Sequence, residues 1–123
     1  MADHNDFGKK GEAIAKEFLE ISGYDILDEN WVFGKAEIDL VTYRDKRLIF
    51  VEVKTRSGSK FGQPEDFVDD AKQRQMQLAA EEYIHLMDFK GEIRFDIISI
   101  LFDNQGRHML RHIEDAFWPG YDS

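Results

Sequence analysis

Cysteine is absent from this chain of 123 residues, and proline occurs only twice. Without cysteine there is no disulfide framework, no thiolate nucleophile and no zinc or iron–sulfur site held by sulfur ligands. The absence agrees with a reducing compartment, so a cytoplasmic location is expected. No repeat, low-complexity tract or proline-rich linker divides the chain. A length of this order fits one domain, and we expect residues 1–123 to form it.

Long hydrophobic runs are also lacking. The longest uninterrupted apolar stretch covers residues 48–51, whereas a membrane-spanning helix needs about 18 or more apolar residues in succession. The first ten residues are polar and lack the apolar segment of a secretion signal. The sequence therefore predicts neither a membrane span nor export.

Basic residues are outnumbered, because 16 Lys and Arg oppose 25 Asp and Glu and the net charge is −9. Nucleic-acid-binding domains usually present a basic surface, so the overall composition argues against an extended polyanion-binding face. The basic residues are nevertheless concentrated locally. Residues 44–60 contain six of them against two acidic residues, a local charge of +4, and the remainder of the chain is −13.

The pattern of apolar residues predicts two helices and five strands. Apolar residues recur at helical spacing over residues 7–22, and Gly23 supplies a C-terminal stop. A second helix is predicted from Pro64, a residue type favoured at the first helical position, to about Met87. Short runs rich in β-branched and aromatic residues predict the strands. These are residues 24–33, 37–43, 48–55, 93–101 and 108–113.

The order of these elements predicts an α/β domain with a mixed five-stranded sheet flanked by helices. Strands 37–43 and 48–55 are joined too closely for anything other than a hairpin. The connection through the second helix is long enough for a crossover. Strands 48–55 and 93–101 are therefore expected to be parallel neighbours.

The predicted hairpin brings two carboxylates together. A turn centred on residues 45–46 places Asp39 opposite Glu52, with Cβ atoms roughly 4.5–5.5 Å apart, and strand alternation points Lys54 to the same face as Glu52. Mg²⁺ binds through one or two carboxylates together with waters and phosphate oxygens, so the pattern indicates a magnesium site. The other interpretation, a solvated sheet face with a surface ion pair, stays open on spacing alone.

Two residues on the predicted helices, Glu12 and Lys72, are either solvent-exposed or directed to the carboxylate patch. Glu12 lies at the margin of the apolar face of the first helix, where it either faces the sheet or is a solvated residue beside Lys16. Lys72 lies on the apolar stripe of the second helix. It either extends to solvent along its aliphatic stem, or neutralises the carboxylate patch or a phosphate.

The site residues occur in recognisable segments of sequence. They are Gly11-Glu12, Glu37-Ile38-Asp39-Leu40 and Phe50-Val51-Glu52-Val53-Lys54-Thr55-Arg56. These segments resemble the YraN-like family of bacterial proteins, which is similar to archaeal Holliday junction resolvases and belongs to the PD-(D/E)XK nuclease-like superfamily. The likeness covers nearly the whole chain and implies a restriction-endonuclease-like core. Where the family usually has glycine before Glu-Ile-Asp, this chain has Ala36, and the small side chain predicts little disturbance.

The resemblance also implies roles for individual residues. Asp39, Glu52 and the backbone carbonyl of Val53 would bind Mg²⁺ or Mn²⁺, and Glu12 would support that metal or bind a second. Lys54 would orient or deprotonate the attacking water and stabilise the charge that develops on the phosphate. The implied catalytic residues are thus Glu12, Asp39, Glu52 and Lys54, and the implied reaction is phosphodiester hydrolysis.

Basic residues around this site are candidates for contact with a phosphate backbone. They are Arg56, Lys60, Lys72 and Arg74, together with Arg94 and the hairpin residues Arg44, Lys46 and Arg47. For the three hairpin residues the other interpretation is a charged hairpin tip that serves solubility. The resolvase likeness suggests DNA rather than RNA, in particular branched or structured DNA, and a symmetric homodimer would match the two cleavage sites of a junction. The alternative is a non-catalytic nucleic-acid-binding or protein-interaction module that retains the nuclease fold.

Overall fold

The structure is a computed structural model that describes residues 4–58 and 68–118. Its elements in chain order are α1 (His4–Ile21), β1 (Asp25–Phe33), β2 (Ala36–Arg44), β3 (Arg47–Ser57), α2 (Asp70–Met87), β4 (Glu92–Phe102) and β5 (His108–Ile113). The predicted α/β class, with a mixed five-stranded sheet flanked by helices, is confirmed. Neither described helix is long and apolar enough to cross a membrane.

The five strands lie side by side in chain order, β1-β2-β3-β4-β5. Strands β3 and β4 are parallel, and the other neighbouring pairs are antiparallel. The parallel pair is joined through α2, as a crossover requires. The predicted hairpin and the predicted parallel neighbours are therefore both confirmed.

The turn between β2 and β3 fixes the register of the hairpin. Asp45 and Lys46 both have positive φ angles, 52° and 66°, which gives the turn the twist that suits the flanking strands. Pairing then runs from Arg44 with Arg47 to Leu40 with Val51. From Arg44 to Leu40 this register is the predicted one. The predicted pair of Asp39 with Glu52 is not among the partners of β2 and β3, and Asp39 instead meets the Val53 N–H just beyond the last pair.

Each face of the sheet packs against one helix. On the α1 side, Ala15 and Leu19 pack against Val51, Val53 and Ile98. On the α2 side, the buried residues Phe50, Phe95, Met76, Ala79 and Tyr83 belong to a separate cluster. Because side chains alternate along β3, Glu52 and Lys54 are directed to the α2 side of the sheet.

Helix α2 begins later than the sequence predicts. Asp69 has an extended backbone (φ −77°, ψ 176°) and its carboxylate accepts the backbone N–H of Lys72 at 2.8 Å. An aspartate at this position satisfies an amide that has no partner inside the helix, so α2 starts at Asp70 and not at Pro64. Residues 59–67, which include Lys60 and Pro64, lie outside the described residues.

Helix α1 lies unusually close to β3 at Gly11. A Cβ atom added there would lie 1.8 Å from Thr55 Oγ1 and 3.0 Å from Thr55 Cβ. Only glycine allows this separation between the helix and the strand, because real Cβ atoms do not approach other heavy atoms so closely. The contact brings Glu12, the next residue of α1, towards the sheet.

Substitution of Gly11 by alanine is expected to destabilise the protein by about 1–3 kcal/mol, because the added methyl group forces α1 away from β3. Urea unfolding measures the effect. Gly8 is the matched control, since it lies on the same helix with no atom within 4 Å of an added Cβ. Gly8→Ala is expected to stabilise the protein by about 0.5–1 kcal/mol through helix propensity. Equal stabilities for the two variants would contradict the close approach.

A buried ionic network lies on β4, away from the predicted site. Asp96 is 0% exposed, and Arg94 donates to both of its carboxylate oxygens at 2.8 Å. Nε2 of His112 lies 2.8 Å from Asp96 Oδ2, and the Asp115 N–H donates to Oδ1 at 2.9 Å. The expectation that Arg94 contacts a phosphate is therefore wrong, since its guanidinium is bound to Asp96.

Candidate functional site

The predicted carboxylate pair lies where the pairing of β2 with β3 ends. Beyond Leu40 and Val51 the ladder is replaced by a side-chain contact, in which the Val53 N–H donates to Asp39 Oδ2 at 2.7 Å. In an extended strand the N–H and C=O of one residue point to the same edge. The Val53 carbonyl is therefore directed to the same opening as the Asp39 carboxylate.

Glu52 reaches this opening from β3 and is 4% exposed. Lys72 from the first turn of α2 donates its ammonium to Glu52 Oε1 at 2.5 Å. A buried carboxylate requires such a partner, because an unpaired charge in the interior is strongly unfavourable. Of the two interpretations of Lys72, neutralisation of the carboxylate patch is confirmed. Lys54 is half-buried and follows on the same face.

A second group of carboxylates adjoins the first. With its side-chain nitrogen oriented towards the carboxylates, Asn30 donates to Glu12 Oε1 at 2.8 Å and to Glu37 Oε1 at 3.0 Å. Glu12 therefore faces the sheet, which decides between its two interpretations. Ala36, next to Glu37, is buried and does not adopt a left-handed conformation, so the replacement of glycine there introduces no backbone strain, as expected.

Burial and neighbouring charges raise the pKa values of Asp39 and Glu12. Burial and the nearby charge of Glu52 raise the pKa of Asp39 to about 8, against the opposing hydrogen bond from Val53, and Glu12 and Glu37 add to the rise. Burial, followed by the charges of Glu37 and Glu52, raises the pKa of Glu12. The group therefore favours the uptake of positive charge, as a proton or as a cation.

These side chains line a cleft of about 420 Å³ between the beginning of β2 and the beginning of α2. Its charged lining residues are Lys35, Glu37, Asp39, Glu52, Asp69 and Lys72. A second cavity of about 610 Å³ is lined by Glu12 and Asn30 and shares Glu37 with the cleft. Glu37 thus borders both openings.

The donor atoms fit an open magnesium or manganese site. Within residues 4–58 and 68–118, no group of three or more His, Asp or Glu side chains is arranged to hold a metal ion by itself. Mg²⁺ does not require such a cage, because it commonly binds one or two carboxylates and keeps waters or phosphate oxygens. Asp39, Glu52 and the Val53 carbonyl could supply that number of ligands.

The four candidate phosphate contacts lie in different surroundings. Lys72 lines the cleft, whereas Arg74 is exposed on α2 and does not line it. Arg56 is half-buried near the end of β3, and Lys60 lies outside the described residues. Lys72 is thus the candidate that the structure brings to the carboxylates.

The basic residues of the hairpin turn do not surround the carboxylates. Arg44 pairs with Asp45, and Arg47 pairs with Glu92. Glu52 lies five positions after Arg47 along β3, about 16 Å at the rise of an extended strand. The charge of +4 over residues 44–60 is therefore divided between the two ends of the strand and does not form one basic rim.

Three residues of the site were not identified from the sequence. Glu37 could have been, because it belongs to the same short sequence segment as Asp39. No sequence pattern indicated Asn30, because its contacts depend on a positive φ angle of 54° within β1. Lys35 lies in the turn between β1 and β2 and lines the cleft.

The fold and the site define an α/β domain with an acidic cleft, flanked by lysines, at the open end of a β-hairpin. This chain belongs to the uncharacterised protein family UPF0102, which it matches over residues 11–100, and the expected YraN-like membership is thereby confirmed. UPF0102 protein FP2501 of Flavobacterium psychrophilum is 48% identical over 96% of this chain and 98% of its own length. A UPF0102 protein of Bacteroides thetaiotaomicron is 43% identical over 97% of this chain and 98% of its own length.

Among solved structures, the chain is similar to SfsA of Pyrococcus furiosus, determined in complex with Ca²⁺. The two chains are 14% identical with a TM-score of 0.38. The match covers 91% of this chain and 64% of SfsA.

Proposed function

We propose that this protein hydrolyses phosphodiester bonds in DNA with the help of a bound Mg²⁺ or Mn²⁺ ion. One observation carries the proposal. Asp39 and Glu52 converge on one cleft at the open end of the hairpin, with the Val53 carbonyl directed to the same place and Lys54 on the same strand face as Glu52. Carboxylates that hold a cation beside a lysine provide the charges that phosphoryl transfer requires.

Each residue has a distinct task in this proposal. Asp39, held by the Val53 N–H, and Glu52 bind the cation, which when present lowers the pKa of water and offsets negative charge on the phosphate. Lys54 orients the attacking water and donates to a phosphate oxygen as negative charge develops there. Lys72 neutralises Glu52 in the metal-free protein. When a bound cation compensates the charge of Glu52, the Lys72 ammonium is available to a substrate phosphate.

Branched or structured DNA is the proposed substrate, on the likeness of the sequence motifs to those of junction resolvases. A homodimer would present two clefts to the two strands of a junction. Cleavage of DNA rather than RNA is part of the proposal, and the same assay tests it.

A cleavage assay tests the proposal. Labelled four-way junction, flap, duplex and single-stranded DNA, with single-stranded RNA for comparison, are incubated with Mg²⁺, Mn²⁺ or a chelator. Cleavage of DNA is expected only with metal, and Lys54→Met is expected to abolish it. The control is Lys90→Met, at an exposed lysine paired with Asp88. Absence of cleavage on every substrate, or full cleavage by Lys54→Met, would overturn the proposed hydrolase.

The second candidate is a module that binds nucleic acid or protein without turnover. The net charge of −9 and the Lys72–Glu52 ion pair, which already compensates one carboxylate, favour it. Binding of DNA with equal affinity in the presence and absence of metal, without cleavage, would support this module.

DNA affinity is expected to depend on salt with a shallow slope. Few lysines line the cleft, so the logarithm of the association constant should fall with the logarithm of salt concentration with a slope of about −2 to −4. Lys72→Met should reduce the steepness by about one, because one phosphate contact is lost, and Lys90→Met should leave it unchanged. Fluorescence anisotropy with labelled DNA measures both slopes. An affinity that is independent of salt would contradict phosphate contacts in the cleft.

A further inference from the structure

Asn30 interrupts the regular pairing of β1 beside the acidic cleft. The partners of β1 on β2 include Glu29 with Leu40 and Trp31 with Ile38, while Asn30 itself adopts a left-handed conformation with φ 54°. Asparagine is one of the few residues other than glycine that adopts this conformation readily. The unusual backbone turns the Asn30 side chain towards α1 and the beginning of β2.

The amide of Asn30 meets two carboxylates from two other elements. When the amide is oriented with its nitrogen, rather than its oxygen, towards the carboxylates, that nitrogen donates to Glu12 Oε1 at 2.8 Å and to Glu37 Oε1 at 3.0 Å. The opposite orientation would place the amide oxygen against two carboxylates, which offer it no donor. A primary amide carries two N–H groups, so one nitrogen can serve both acceptors at once. An aspartate of the same shape would add a third negative charge, and glycine would leave both carboxylates without this donor.

The position of Asn30 is itself fixed from the opposite face of the sheet. The next residue, Trp31, donates its indole N–H to the Ala79 carbonyl of α2 at 3.1 Å and packs edge-on against Tyr83 at 5.1 Å between ring centres. The amide is thereby tied to α2 through Trp31, to α1 through Glu12 and to β2 through Glu37. Elements on both faces of the sheet therefore hold residues 30–31 of β1.

We infer that Asn30 is a positioning residue, which holds the carboxylates of Glu12 and Glu37 in place so that Glu12 can act on the divalent cation of the cleft. The inference rests on the proposed function, since it assigns the part of the molecule that orients Glu12 towards that cation. Removal of a group that orients a ligand typically weakens metal affinity about 10- to 100-fold. Asn30 itself binds no metal in this account.

The test is a double-mutant cycle read by calorimetric titration of Mn²⁺. Asn30→Gly keeps the left-handed backbone and removes the amide, so it should weaken Mn²⁺ binding about tenfold. In a Glu12→Gln background the same substitution should change the affinity by less than about twofold, because its effect passes through Glu12. Glu17→Gln, an exposed glutamate on the same helix, is the matched control.

Side-chain amide resonances provide a readout that does not require metal. The two Asn30 amide protons should exchange slowly in the wild-type protein, with one shifting on Glu12→Gln and the other on Glu37→Gln. Exchange at the rate of a free amide would overturn the inference, as would equal losses of Mn²⁺ affinity in both backgrounds of the cycle. A wild-type protein that binds no Mn²⁺ would overturn the proposed function itself, and the positioning role with it.

Discussion

Replacement of Asp39 by asparagine is expected to lower the rate of metal-dependent DNA cleavage about a thousandfold or more. The amide oxygen of asparagine can still accept the Val53 N–H, so the local structure is kept. The charge that holds the cation is lost, and a loss of about 4 kcal/mol of transition-state stabilisation corresponds to this factor. Initial rates at saturating Mg²⁺ measure the effect, with Glu17→Gln as the control.

The same variant should be more stable than the wild-type protein at alkaline pH when metal is absent. The pKa of Asp39 is raised from 3.8 to about 8, so between these values the folded state binds more protons than the unfolded state. The free energy of unfolding contributed by this group therefore falls as the pH rises through that range. Asparagine does not ionise and removes the loss. Thermal unfolding from pH 5 to pH 9 compares the two proteins.

These two effects of Asp39→Asn distinguish a functional site from a structural one. A carboxylate kept for stability would give a less stable variant at every pH, whereas one kept for a cation gives an inactive variant that is more stable without metal. Parallel stability curves for the two proteins across the whole pH range would contradict the raised pKa. Retained cleavage would contradict the assignment of Asp39 as a metal ligand.

Asp96→Ala is expected to destabilise the protein by about 3–5 kcal/mol, the usual loss when one partner of a buried ion pair is removed. The Arg94 and His112 side chains, 14% and 11% exposed, would remain buried without their shared carboxylate. Urea unfolding measures the loss. Asp103→Ala is the control at a surface carboxylate. It removes the ion pair with the exposed Arg107 and two hydrogen bonds from backbone N–H groups of the turn, and a loss of about 1–2 kcal/mol is expected.

The same network predicts loss of stability in acid. Burial alone would raise the pKa of Asp96, but hydrogen bonds from His112, Arg94 and the Asp115 N–H outweigh it and hold the pKa below its usual value. The contribution to stability is complete above the unfolded pKa of aspartate and is lost as the pH falls through the lower, folded pKa. Asp96→Ala should therefore flatten the acid limb of the stability curve. A small loss of stability, similar to that of Asp103→Ala, would contradict the network.

The backbone of the site was predictable from local chemistry. Residues 45–46 form a two-residue turn, and once that turn is fixed the alternation of β3 determines that Glu52 and Lys54 share a face. Along β2 the alternation is broken at Asp39, because Ile38 and Leu40 pack on opposite faces of the sheet, so the face of Glu37 could not be predicted in this way. The resemblance of the motifs to a family agreed with this register and extended the set to Glu12.

Other parts of the site depend on contacts between distant segments and could not be predicted. The basic residues of the hairpin turn were expected around the carboxylates because charge was counted along the chain. In the structure an extended strand separates Arg47 from Glu52. Arg94 was assigned to phosphate because its partner Asp96 lies inside the sheet and is identified only by burial. The predicted start of α2 was Pro64, because proline is favoured at the first helical position. The helix begins instead after Asp69, whose carboxylate accepts the Lys72 N–H.

The most direct test of the central claim is calorimetric titration of Mn²⁺ into the wild-type protein and Asp39→Asn at low salt, with and without a short uncleavable branched DNA. We predict binding to the wild-type protein that strengthens when DNA is present and disappears in Asp39→Asn. Absence of binding under every condition, or equal binding by the two proteins, would contradict a cation site at Asp39 and Glu52.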